Sequence, residues 1–194
     1  MQKLMLIAAL LGTALVAACA SSPTTRFYTL GSGKPLGPIS ATPYRIAIGM
    51  VTVPDAVDRP QIVTRISSNQ LNINDFSRWA EPLKFEIPRV IAANLARELT
   101  DALISTYPQN AIPDADCRLQ LDVQRFDSVL DEGATIEILW TVRPAKGEAK
   151  SGRSTAHEAA GTAGYDALAS AHSRALASVS RDIAQALRNV RSGN

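Results

Sequence analysis

Few side chains in this 194-residue chain have the type and spacing to do chemistry. There are two cysteines and two histidines. Cys19 follows Ala17-Ala18, and a nucleophilic thiol just after small residues can accept an acyl group. Cys117 precedes the alternating run Leu119, Leu121, Val123, which favours a small buried hydrophobe over a reactive or intermolecular thiol. His157 falls in a weak strand pattern and His172 in a helical one, and neither belongs to a His-Glu-x-x-His motif. No Cys/His/Asp cluster has zinc or calcium spacing, and there is no Gly-x-Ser-x-Gly elbow, dinucleotide fingerprint or phosphate loop. His172-Ser173 would be half of a triad only with distant partners, and packed or solvated histidines are far commoner. The sequence therefore predicts a protein that is not an enzyme, with no metal and no cofactor beyond acyl chains on Cys19.

The elements around Cys19 support that chemistry. Met1-Gln2-Lys3 is a basic start, Leu4 to Val16 is apolar, and Ala17-Ala18 are small, which is a secretory signal over residues 1–18. The apolar run is shorter than the roughly 20 residues that span a bilayer. Leu15-Val16-Ala17-Ala18-Cys19 resembles the lipobox of bacterial lipoproteins, in which the thiol and the newly exposed amine are both acylated. Each buried CH₂ adds about 0.8 kcal/mol, so two or more chains anchor stably where one does not. Ala20 rather than Asp after the cysteine resembles lipoproteins sent to the outer membrane. Residues 19–25, with Ser21-Ser22-Pro23, read as the tether. From Cys19 to Phe27 the chain reaches at most roughly 26–29 Å, so the domain works beside one bilayer surface. In an oxidising periplasm Cys117 has no intramolecular partner left.

Composition limits the rest. A net charge of +2 and 20% charged residues argue against nucleic-acid binding, against a disordered chain and against a polytopic membrane protein. The length allows one domain, here residues 26–191. Arg26-Phe27-Tyr28-Thr29-Leu30 has strand composition, a Gly/Pro loop runs from Gly31 to Pro43, and Tyr44 to Val53 alternates. Gln61 to Ile66 and Gln70 to Ile73 form a candidate hairpin about Ser67-Ser68-Asn69. Ile87, Val90, Ile91, Leu95, Leu99 and Leu103 recur every three or four residues, which predicts a helix over about 86–105 with Pro88 in its first turn and Pro108 beyond its end. Arg118 to Gln124, Thr135 to Arg143 and, more weakly, Arg153 to Ala160 read as an antiparallel meander with one wet face. Leu168, Leu176, Val179, Ile183, Leu187 and Val190 predict a helix over about 165–190, with alanine flanks for close packing. The expected fold is α/β of the α+β-like kind: a single compact domain with a mixed sheet of about five to six strands carrying two main helices.

One stretch resists simple patterning. Pro54-Asp55-Ala56-Val57-Asp58-Arg59-Pro60-Gln61-Ile62-Val63-Thr64-Arg65 and Arg78-Trp79-Ala80-Glu81-Pro82-Leu83 set arginines, a tryptophan and a glutamate among prolines. Arg78 or Arg59 could pair with Glu81, and a guanidinium could stack on Trp79. The cluster suits a rigid closure of one end of the sheet. It suits a protein interface equally, since Trp and Arg dominate interfaces.

Together with the lipobox and the Phe27-Tyr28-Thr29-Leu30 entry, these segments resemble the PqiC/YmbA-type ABC transport auxiliary lipoproteins over nearly the whole mature chain. The resemblance implies a compact mixed α/β domain with no catalytic residues. It also implies a periplasmic, outer-membrane-anchored docking subunit of an MCE-type intermembrane lipid transport system. The expected partners are an MCE-family tunnel protein, inner-membrane transporter subunits and the outer membrane itself, with a homo-oligomeric ring as a reasonable assembly. The candidate interface is Arg59, Pro60, Gln61, Arg65, Arg78, Trp79, Glu81 and Pro82. Two other readings of the residues stay open: a lipoprotein regulator of a cell-envelope enzyme, and a periplasmic lipid-binding module.

Overall fold

The computed structural model describes residues 23–31, 33, 42–108, 114–162 and 164–192. The expected signal segment 1–18, the expected lipidation site Cys19 and the first part of the expected tether lie outside them. Eight strands and two helices follow in the order β1 (Arg26–Tyr28), β2 (Tyr44–Ile48), β3 (Gln61–Ser67), β4 (Gln70–Trp79), α1 (Leu83–Glu98), β5 (Ala102–Thr106), β6 (Cys117–Val129), β7 (Gly133–Pro144), β8 (Lys150–Ala159) and α2 (Gly164–Ser192). The strands divide into a five-stranded sheet, β5-β2-β6-β7-β8, and a three-stranded sheet, β1-β4-β3. Both are mixed: β2 lies parallel to β5 and β6, and β1 parallel to β4, while the hairpin pairs are antiparallel. The α+β single domain expected from the pattern is present.

The meander β6-β7-β8 forms the body of the main sheet. Along β6, Cys117, Leu119, Leu121 and Val123 are buried while Arg118, Gln120, Asp122 and Gln124 are exposed, so the period-two pattern maps onto one dry and one wet face. Asp131 turns the chain into β7 with φ 60°, and the Glu132 amide donates to the Val129 carbonyl at 3.1 Å. Gly152 in β8 is required by packing, because a Cβ there would overlap the Trp140 indole on β7.

Helix α2 covers β7 and β8 and packs against α1. Its whole apolar stripe is buried, and Ala169, Ala171, Ala175, Ala184 and Ala186 bring the backbone close to the sheet.

Helix α1 departs from the sequence expectation at both ends. It begins at Leu83, where the Phe85 and Glu86 amides donate to the Pro82 carbonyl, so Pro88 falls in the second turn. It ends at Glu98, not near Ser105. The Leu99 amide closes onto Leu95, the Ala102 amide donates to Leu99 at 2.9 Å, and the reversed chain enters β5 in parallel register with β2. Leu103 had continued the helical spacing, but it belongs to a β-branched segment, Ala102–Thr106, that the sheet recruits. The hairpin β3-β4 is present, and β4 runs on to Trp79 through a register shift between Gln61 and Ile62 that hides its alternation.

Candidate docking surface and its aromatic support

The two unusual segments meet in space. The turn after Pro54 is closed by the Val57 and Asp58 amides donating to the Pro54 carbonyl, and it delivers Arg59-Pro60 to the start of β3. There the Trp79 amide donates to the Pro60 carbonyl at 2.7 Å, and Gln61 lies directly opposite Arg78. On the other side of β4, the Ala80 amide donates to the Tyr28 carbonyl at 2.8 Å. Pro82 then starts α1. Residues about twenty positions apart are thus brought to one end of the small sheet.

Their side chains take different roles. Arg59, Pro60, Glu81 and Pro82 are exposed, while Gln61 and Arg78 are half-buried. The Arg78 Nε donates to the Asp75 carbonyl at 2.9 Å, and Gln61 Nε2 donates to the Asp75 carboxylate at 3.3 Å. Glu81 pairs with Arg89 on α1 at 2.9 Å, in place of the expected Arg59 or Arg78. Lys84 reaches Asp58 at 3.3 Å and ties the Pro54 turn to α1. Arg65 sits farther along β3 and bonds Asp127 of β6 and the Ser68 carbonyl, so it joins the two sheets. Burial works to raise the Asp127 pKa, but hydrogen bonds from Arg65 and Arg125 outweigh it and hold the carboxylate below its ordinary range.

Trp79 is only 4% exposed, and among the described residues no guanidinium stacks on it. Its indole meets Phe126 and His172 edge-on at ring distances of 6.0 and 5.9 Å, and those two rings stack on each other at 4.0 Å. Such edge-to-face and stacked contacts each contribute about 0.5–1.5 kcal/mol beyond burial. Trp79 therefore supports the surface from below and does not form part of it. Sequence patterning missed Phe126, Ser128 and His172 as the support, because their meeting joins β4, β6 and α2 across long separations.

His172 is fully buried, with Nε2 2.7 Å from Ser128 Oγ and no partner for Nδ1 among the described residues. Burial pushes its pKa down to about 3, only partly opposed by Asp127, so the imidazole is neutral at ordinary pH. Glu86 is a second buried ionisable group. Its Oε1 accepts the Leu30 amide at 2.8 Å, fixing the exit of β1 to α1, and burial raises its pKa. Cys117 is buried in the core, where burial likewise raises its thiol pKa. Among the described residues no group of three or more His, Cys, Asp or Glu side chains converges as a metal site.

Two open depressions flank this region. One, of about 680 Å³, lies between the exit of β1 and the two helices, with Phe27, Arg97, Arg174 and Arg181 among its lining. The other, of about 370 Å³, lies between the Pro54 turn, the hairpin and β6, and includes Arg65 and Leu71. Phe76 and Phe85 are each 43% exposed near the converging segments.

Comparison with known proteins agrees with this architecture. A crystal structure of an uncharacterized protein superposes with a TM-score of 0.70 at 23% identity, covering 84% of this chain and 99% of the other. The crystal structure of protein XCC0632 from Xanthomonas campestris, of the DUF330 family, gives 0.67 at 19% identity, covering 87% and 97%. At these identities the likeness is one of fold. No curated protein sequence matches the chain. The family model for ABC-type transport auxiliary lipoprotein components matches residues 28–184, a span that holds both converging segments, the Trp79 support and most of α2, and the chain belongs to that family.

Proposed function

We propose that this protein is an outer-membrane lipoprotein, acylated at Cys19, that docks an MCE-family tunnel protein to its leaflet within an intermembrane lipid transport system. The family membership carries this reading, since the family is one of auxiliary lipoprotein components of ABC-type transport. The docking surface is the end of the small sheet, with Arg59, Pro60, Gln61, Arg78, Glu81 and Pro82 at its face and Phe76 and Phe85 beside them. Rigid turns, half-buried arginine and exposed aromatics supply a preorganised patch that loses little side-chain entropy on binding. Acyl chains hold the patch near the bilayer, so the tunnel protein crosses the periplasm to meet it. The protein's own part is positional: it binds and orients, with no reacting group.

Co-purification of the acylated mature protein with a co-expressed MCE-family protein tests the reading. Arg78→Ala and Glu81→Ala should each leave the fold intact, because both side chains are at the surface and make few bonds. Each should reduce the recovered partner severalfold, as interface arginines do at about 1–2 kcal/mol or more. Full recovery with both variants, well folded, would overturn the proposed surface.

A further inference from the structure

Phe27 is 65% exposed in the middle of a strand whose neighbours are put to use. Tyr28 packs on Tyr165 of α2 at a ring distance of 6.1 Å, and Leu30 is buried. Among the described residues β1 is an edge strand bonded to β4 alone, and across that pair Phe27 sits opposite Arg78 at the border of the docking surface. On its other flank Phe27 rims the 680 Å³ groove with Arg97, Arg174 and Arg181. Arg26 beside it is exposed. The acidic groups in the groove are Asp166 and Glu98, and Glu98 is engaged by Arg188 at 3.2 Å. Arg174 is engaged by Glu158, and Arg26, next to Phe27 in β1, is an exposed cation.

The place of this residue in the chain limits what can cover it. Phe27 comes only eight positions after Cys19, so it lies within about 26–29 Å of the acylated thiol in any conformation. An exposed aromatic ring next to an exposed arginine matches the boundary between headgroups and acyl chains, where the ring enters apolar material and the guanidinium meets phosphate. We propose that the β1 edge rests on the bilayer that holds Cys19, with Phe27 seated in the interfacial layer and Arg26 against lipid phosphates. The proposal builds on the Cys19 anchor put forward above. It also orients the domain. β1 and Tyr165 lie at the Val129 end of β6, and the opposite end, where the Ala145 amide donates to the Asp116 carbonyl, is about 40 Å away along that 13-residue strand.

The test uses the acylated mature protein in vesicles of phosphatidylethanolamine and phosphatidylglycerol doped with acyl-chain-brominated phosphatidylcholine. Tryptophan is introduced by Phe27→Trp or by Ala145→Trp, and the emission of the two native tryptophans is subtracted using the parent protein. The added emission at position 27 should be blue-shifted and largely quenched, and that at position 145 unquenched. Absence of quenching at 27, or equal quenching at both positions, would overturn the seating. An unquenched position 27 that loses accessibility only when an MCE protein is added would give the surface to a protein partner instead. Palmitate labelling of the same preparation, with Cys19→Ala as the blank, reads the anchor separately. Labelled but unquenched protein overturns the seating alone, whereas unlabelled protein overturns the anchor and the seating with it.

Discussion

Burying an imidazole without charge makes stability depend on pH in a calculable way. His172 has its folded pKa pushed from 6.5 to about 3 by burial. An unfolded histidine takes up a proton below about pH 6.5 while the folded one does not, so acid favours the unfolded chain throughout the window between the two values. Each unit of pH in that window removes about 1.36 kcal/mol, and between pH 7 and about pH 4.5 the loss amounts to roughly 2–3 kcal/mol. Stability is therefore fully retained above 6.5 and falls as the pH drops towards 3. Other groups titrate as well: Glu86, with a raised pKa, opposes the trend, and Asp127 beside the imidazole, with a lowered one, adds to it at the acid end. The difference between native protein and His172→Gln isolates the histidine, because glutamine keeps a polar group for Ser128 and does not titrate. Urea unfolding monitored through Trp79, whose indole contacts the imidazole, should show the native protein losing about 2–3 kcal/mol more than the variant across that range. Parallel pH profiles for the two proteins would refute the reasoning and mean that the folded state admits a proton or water at Nδ1.

Two further outcomes follow from burial. Trp79→Ala should lower unfolding stability by about 3–5 kcal/mol, a large share of the 5–15 kcal/mol typical of a domain, because it leaves a cavity beneath both sheets. A change below about 1 kcal/mol in denaturant titration would place the indole in a surface role after all. Cys117, fully enclosed and with a raised pKa, should resist maleimide in the native Cys19→Ser protein at neutral pH and react fully in urea. Rapid native labelling would show that the Cys117 end of β6 opens.

The parts of the molecule legible in the sequence are those whose partners lie nearby. The α2 stripe from Leu168 to Val190 and the β6-β7-β8 meander announce themselves through local periodicity, and both occur with boundaries shifted by only a few residues. Leu103 was misleading because its spacing from Leu99 is helical, whereas its fate depends on parallel pairing with Arg45, over fifty residues away. The interval Asn74 to Trp79 carries no clean alternation, since the register shift against β3 breaks it. Residue type alone suggested Trp79 as a contact residue. Only its meeting with Phe126 and His172 makes it internal, and no local rule encodes that meeting. Arg59, Pro60, Glu81 and Pro82, by contrast, do lie at the surface, where proline and charge in an irregular segment belong.

The stacked rings beneath β4 also govern how force passes through the molecule. Trp79, Phe126 and His172 come from the small sheet, the large sheet and the long terminal helix, and they lock at one point, with Arg65 and Asp127 clamping the sheets a short way off. A tug applied at the Pro60 turn is therefore borne at once by β6 and α2, and the two sheets cannot bend about each other as a hinge would. Strain entering at the proposed docking surface would travel through a stiff block to β1, the strand next to the proposed anchor.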